Sequence, residues 1–349
     1  MSETGTILDR MREVNEYLFE AEWSDGLPVI PPTPEGVERM LQGTARDRHE
    51  LIGIIPPGWG KATVERIAIN GLMAGCKPAY MPVLIAAVQA VTDERYRLQG
   101  SQGTTDCIAP LLVINGPMTD ALGFESTTGC FGHGTRANAT VGRALNLILL
   151  TLGGAIPGKI KKSTLSQPGT FSFCIAENAA ASPWEPLHVE RGFEAQASTV
   201  TALAATPVSQ VSDHCNETAA GILTSLCDSM AVLGNCAVYR ASESVVTFPP
   251  ELAAVFQREG WSKQEVKQYI HEHARRPVKE LRQGGEWNDE TLMHLPPEMD
   301  LTDDNTMLSA VHHPDDLLVM VAGGEAGRWM SLTPGWGYGS RSVTVRIGD

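Results

Sequence analysis

The sequence predicts an α/β protein, a mixed sheet flanked by helices. Three features predict it. Short apolar runs of strand length, such as residues 111–115 and 317–322, alternate with longer stretches whose apolar residues recur at helical spacing. Glycine and proline punctuate most junctions between them. At 349 residues, 42% hydrophobic and 19% charged, the chain has the composition of a protein that buries a large core.

Residues 7–20 place Ile7, Leu8, Met11, Val14, Leu18 and Phe19 close to one helical stripe, which is expected to pack on the body. Four prolines from Pro28 to Pro34 forbid a regular helix, after which Thr33 and Pro34 read as the cap and first-turn proline of a helix running to Leu41. Thr63 caps a helix over 63–74 that Gly75 ends. Pro78 introduces a helix over 80–91, apolar enough to be mostly buried. Residues 111–115, closed by Gly116 and Pro117, suit an interior strand, and 135–152 form the longest internal helix. Further strands are expected at 171–175, 245–248 and 317–322. Further helices are expected near 217–233, with Asn216 as cap, at 250–259 and at 262–274. Two lobes are expected, 1–206 and 207–349, with a single domain as the alternative, and the polar, breaker-rich stretch 277–304 is another candidate linker.

With 27 basic against 41 acidic residues, the formal charge of −14 repels phosphate backbones and anionic membranes, so neither nucleic acid nor membrane is an expected partner. Lys159, Lys161 and Lys162 form a local basic exception, read first as a solvated loop and second as an attraction for a small anion. The most apolar run, 144–152, is far shorter than the roughly 20 residues that cross a bilayer. Residues 1–10 lack the basic-then-apolar pattern of a secretory signal. Seven cysteines, an odd number without a CxxC pair, predict reduced thiols and a cytoplasmic location.

Chemistry concentrates in the glycine-rich segment 127–143. Gly129, Gly132 and Gly134 permit tight turns, and the helix that follows points free N–H groups and the positive end of its dipole at the loop. Arg136 and Arg143 fall two turns apart on one face, where Arg136 would clamp a carboxylate or phosphate and Asn138 would assist. Cys130, three residues from His133 and near a helix N-terminus, is the leading candidate for an activated thiol, with His133 moving a proton. Neither GxGxxG nor GxxxxGK[ST] occurs, so nucleotide binding is not indicated.

Thr104 and Thr105 offer hydroxyls ahead of the strand 111–115, which fits a pocket wall as well as a structural turn. Glu177 and His188, with Glu185 nearby, supply carboxylates and an imidazole for proton transfer, and Trp184 is either a substrate contact or a loop anchor. Gly323, Gly324 and Gly327 follow a strand in a turn that would bring backbone N–H groups near a ligand. The tail 333–347 reads equally as a flap and as a packed strand. His271 and His273 lie on a helix without the spacing of HExxH and read as surface.

The phrases WSDGLPVIPPTPEGVERML, KATVERIAINGLMAGCKPAYMPVLIAAVQAV, FGHGTRANATVGRALNLILL, SFCIAENAAASPWEPLHVERGF and GWSKQEVKQYIHEHARRP together resemble the large domain of UGSC-family proteins, over nearly the whole chain. In that family a Sec-Gly-Ser-Cys or Cys-Gly-Ser-Cys motif sits on a small companion domain. This chain has no CGSC motif, so the resemblance implies that a redox-active thiol or selenol would come from a separate subunit.

The expected function is therefore that of an enzyme or enzyme subunit acting on a small anionic substrate by thiol-dependent lyase or reductive chemistry, in a homo- or hetero-oligomer. No cofactor is required by the sequence. Two alternatives stand beside it. One is a metal-dependent hydrolase or lyase built from His133 and His188 with Glu177, Glu185 or Asp106, although no spacing demands a metal. The other is a non-catalytic scaffold for a small redox subunit.

Overall fold

A computed structural model describes residues 3–240, 242–295 and 299–348. Pro296, Pro297 and Glu298, within the expected linker, lie outside the described residues. The first part of the chain runs α1 (Glu3–Glu20), α2 (Pro34–Leu41), β1 (Leu51–Ile55), β2 (Gly60–Thr63), α3 (Val64–Ala74) and α4 (Met81–Thr92). It continues through α5 (Leu98–Gly103), β3 (Ala109–Asn115), α6 (Met118–Leu122), α7 (Arg136–Thr151), β4 (Cys174–Ala176), α8 (Leu187–Glu190) and β5 (Ser198–Ala205). The remainder comprises β6 (Ser209–Ser212), α9 (Ala219–Met230), α10 (Ala237–Arg240), β7 (Ser244–Phe248), α11 (Pro250–Glu259) and α12 (Lys263–His273). After these come β8 (Arg275–Pro277), α13 (Val278–Leu281), α14 (Asp289–Leu292), β9 (Met307–Ser309), β10 (Leu317–Val321), β11 (Trp329–Pro334) and β12 (Val343–Ile347).

Helix starts follow local chemistry. Thr33 accepts from the Gly36 amide and Thr63 from the Arg66 amide, while Gly75 closes α3 at φ 93°, a left-handed conformation that glycine adopts without strain. Ser262 and Glu265 form a reciprocal capping box on α12. At α9 the cap is Thr218, which accepts from Gly221, whereas Asn216 is drawn to Asp213 at 2.8 Å; the helix therefore starts later than expected.

In place of one mixed sheet there are two four-stranded mixed sheets, beside the antiparallel pairs β1-β2 and β8-β9. One has the order β12-β5-β3-β4 with β3 and β4 parallel, and the other β10-β7-β11-β6 with β7 and β10 parallel. Alternation along the strands stacks them. Leu111 and Val113 of β3, Leu203 of β5, Val245 of β7, and Leu318 and Met320 of β10 share one cluster between the sheets. Leu112 and Ile114 face a second core with α3, α4 and α7, and Val246, Val319 and Leu332 face a third with α9, α11 and α12. The result is four layers, helices outside and sheets within.

Strands β3 to β5 build one of these sheets and β6, β7, β10 and β11 the other, but β12 returns to pair with β5 and Gly335 bridges Ala205. The last strand thus belongs with the first part of the chain, and the tail takes the packed-strand form. A second difference concerns α1. Leu18 is buried, but Ile7, Leu8, Met11 and Val14 are exposed by 38% or more, so most of the apolar stripe lies off the body. The helix is anchored near its C-terminal end, where Asn15 accepts from the Val29 amide at 2.7 Å.

Candidate functional site at the carboxyl rim of the sheets

Both parallel strand pairs end on one rim. The amide of Asn178, just after β4, donates to Val321 at the end of β10, and Ala322 donates to Phe248 at the end of β7. Gly323 then donates to Ser126, which ties the glycine-rich loop to the same rim. A Cβ on Gly324 would lie 2.8 Å from Thr128 Oγ1, so glycine lets the two loops meet. In open α/β sheets, ligands bind outside the carboxyl ends of the strands, which makes this rim a candidate site.

The loop itself is open. Gly129 and Gly134 have φ of 76° and 119° with space around them, and residues 127–134 are exposed apart from Cys130. Thr135 precedes α7 without capping it. Among the described residues, the amides of His133, Gly134, Thr135, Arg136, Ala137 and Asn138 donate to no protein acceptor. A run of donors without protein partners at the positive end of a 16-residue helix presents positive potential to the rim. Arg136 is exposed beside it, with only its Nε committed, to Gly75 O at 2.9 Å.

The other members of the segment have structural work. Asn138 is buried, and its amide both accepts from Glu125 N at 2.8 Å and donates to Glu125 O and Cys130 O, which pins the loop. Arg143 is consumed by the segment before α2: its Nε and Nη2 each meet Asp25 at 2.8 Å, and Nη2 also reaches the carbonyls of Leu27 and Pro28. A guanidinium so held does not reach for substrate. Cys130 differs from expectation as well. Burial pushes its thiol up to about 11, the reverse of activation, while His133 is exposed. Burial likewise raises Cys76, Cys174, Cys227 and Cys236.

Glu177 and His188 are both buried inside the body, with Glu177 bonded to the amide of Leu187, the residue before His188. Glu177 Oε2 accepts from the Leu187 amide at 2.8 Å and from Asn115 Nδ2. Its Oε1, Asn115 Oδ1 and His188 Nδ1 are buried without partners. Burial is the main reason that the Glu177 carboxyl rises to about 7, with Lys263 pulling against it. Burial also pushes the His188 imidazole down. Below it, Glu190 bridges the buried Lys263 and Lys267; burial alone would raise Glu190, but the two ammonium groups bring it below the usual carboxylate range. The i, i+4 lysines on α12 were a legible signal for this network; Asn115, at the end of an apolar strand, carried none.

Trp184 is a core anchor. Its indole donates to Trp261 O at 2.8 Å and packs on Phe248 and Phe256. Thr104 and Thr105 do line a cavity, of about 540 Å³, between the two parts of the chain. There Arg240, missed by sequence reasoning, is held between Asp106 at 2.5 Å and Glu286 at 2.9 Å, with its guanidinium 5.0 Å from the Tyr338 ring centre. Neither this cavity nor the larger one described below is lined by residues 127–143. Among the described residues no group of three or more His, Cys, Asp or Glu side chains converges as a metal site, and His133, His188 and Asp106 occupy three separate places. No described helix is long and apolar enough to cross a membrane.

Comparison with models of protein families finds no match, and comparison with curated proteins finds no similar chain.

Proposed function

We propose that this chain is an enzyme subunit that holds a small anionic substrate on the carboxyl rim, and that the reactive thiol or selenol is brought to it by a companion chain. The observation that carries the reading is the run of unpaired amides from His133 to Asn138 with Arg136 beside it. That arrangement suits a carboxylate or phosphate, which takes up the free N–H groups and the helix dipole together. The openness of the rim favours a site completed from outside, and the raised Cys130 thiol argues against a nucleophile from within the loop. A thiol-dependent lyase or reductive step then takes place at the junction.

Inorganic phosphate is a direct probe of the anchor. Calorimetric titration is expected to show saturable binding that weakens about tenfold in Arg136→Met. Equal binding by the variant, or none by the folded wild type, removes the anchor and leaves the scaffold reading, which needs no anion site.

A further inference from the structure

A cavity of about 920 Å³ lies against the C-terminal half of α7, at the other end of that helix from the rim. The segment 24–26 and the loop 155–171 complete its walls. Much of its lining is apolar, from Leu98 and Ile108 through Leu149 and Ala155 to Ile156 and Phe171. Its size is that of a small-molecule site.

One unpaired ammonium lines it. Lys159 pairs with Glu22 at 2.6 Å and Lys162 donates to Gly158 O at 2.7 Å, whereas the Lys161 ammonium makes no hydrogen bond or ion pair with any described residue. The carboxylates on the same cavity do not serve it: Asp25 is taken by Arg143, Glu22 by Lys159, and Glu20 is exposed. The backbone of Lys161 is fixed, its amide donating to Ile156 O at 3.2 Å and its carbonyl accepting from Gly158 N at 3.0 Å. Burial pushes the Lys161 ammonium down, the direction for a cation drawn from water with no counter-charge.

We propose that this cavity binds an elongated apolar molecule ending in one carboxylate, with the head paired to Lys161 and the body against the apolar wall. A second anionic group has no free cation to meet among the described residues that line the cavity. The site is separate from the rim, so phosphate binding at Arg136 and binding here succeed or fail independently.

Octanoate and 1-octanol, which share a chain length and differ in the head, are suitable probes for calorimetry on the full chain. Octanoate is expected to bind saturably and to weaken about tenfold in Lys161→Met, with 1-octanol binding both proteins alike. Ile156→Trp, which fills the cavity from a loop, is expected to abolish both, with circular dichroism reporting that it is folded. No saturable octanoate binding by the wild type overturns the proposal, as does equal octanoate affinity in the wild type and Lys161→Met.

Discussion

Glu177 enters the body at the end of β4 with one oxygen bonded and the other facing no donor. A rise from its ordinary 4.5 to about 7 means that the folded protein prefers the neutral acid by roughly 3 kcal/mol. The sign follows directly: the folded state holds its proton where the unfolded chain has lost it. This contribution is full below pH 4.5 and is lost as pH rises through about 7. Glu177→Gln keeps a neutral amide there, so its urea-unfolding stability is expected to lack that decline between pH 5 and 8. Taking the difference from the wild type isolates Glu177 from His188, whose lowered pKa acts in the opposite sense. Parallel pH profiles for the two proteins would contradict the assignment. Cys130 yields a second residue-scale expectation. With its thiol near 11, it should be alkylated by iodoacetamide at pH 7.5 much more slowly than the exposed Cys215, as peptide mass spectrometry would report. Faster labelling of Cys130 would restore it as a nucleophile.

At the scale of elements, α7 organises the molecule. Its N-terminus faces the rim, its far end walls the large cavity, and its middle meets β4 at Gly142. A Cβ there would lie 2.8 Å from the Phe173 amide nitrogen. Gly-to-Ala inside a helix ordinarily stabilises by about 1 kcal/mol. Here the backbone contact reverses the sign, and Gly142→Ala is expected to cost about 1–3 kcal/mol in thermal or urea unfolding. A stabilised variant would show that α7 can move off the sheet. The Arg143–Asp25 pair clamps the proline-rich segment to the same helix, so Asp25→Asn is expected to destabilise by about 1–2 kcal/mol by removing the charge opposite a part-buried guanidinium. Most of these elements were legible because caps and breakers are local. Thr33, Thr63, Gly75 and Ser262 act within four residues of where they stand. β5 was not legible: its interior face carries Thr199 and Thr201 beside Leu203, so the strand lacks a clean apolar pattern.

The whole molecule decides the remainder. Between the stacked sheets, Thr199, Thr247, Ser331 and Thr333 place buried hydroxyls without protein partners. Replacing such a group by its isosteric methyl removes a desolvation cost, so Thr247→Val is expected to be neutral or stabilising by about 1 kcal/mol. A loss of more than that would show that ordered water satisfies these hydroxyls. Composition and periodicity by themselves determined the α/β class, the principal helices and the glycine-fed entry to α7, because each depends on propensity and on neighbours a turn away. Only the tertiary structure decided that Arg143 belongs to Asp25, that Cys130 is sealed, that Glu177 meets Asn115, and that β12 closes the first sheet. Apart from the sealing of Cys130, those outcomes rest on contacts between residues 62 to more than 140 positions apart. Desolvation, which sets the charge of a buried carboxyl or thiol, has no signature in the order of residues; it arises when distant segments close over the group.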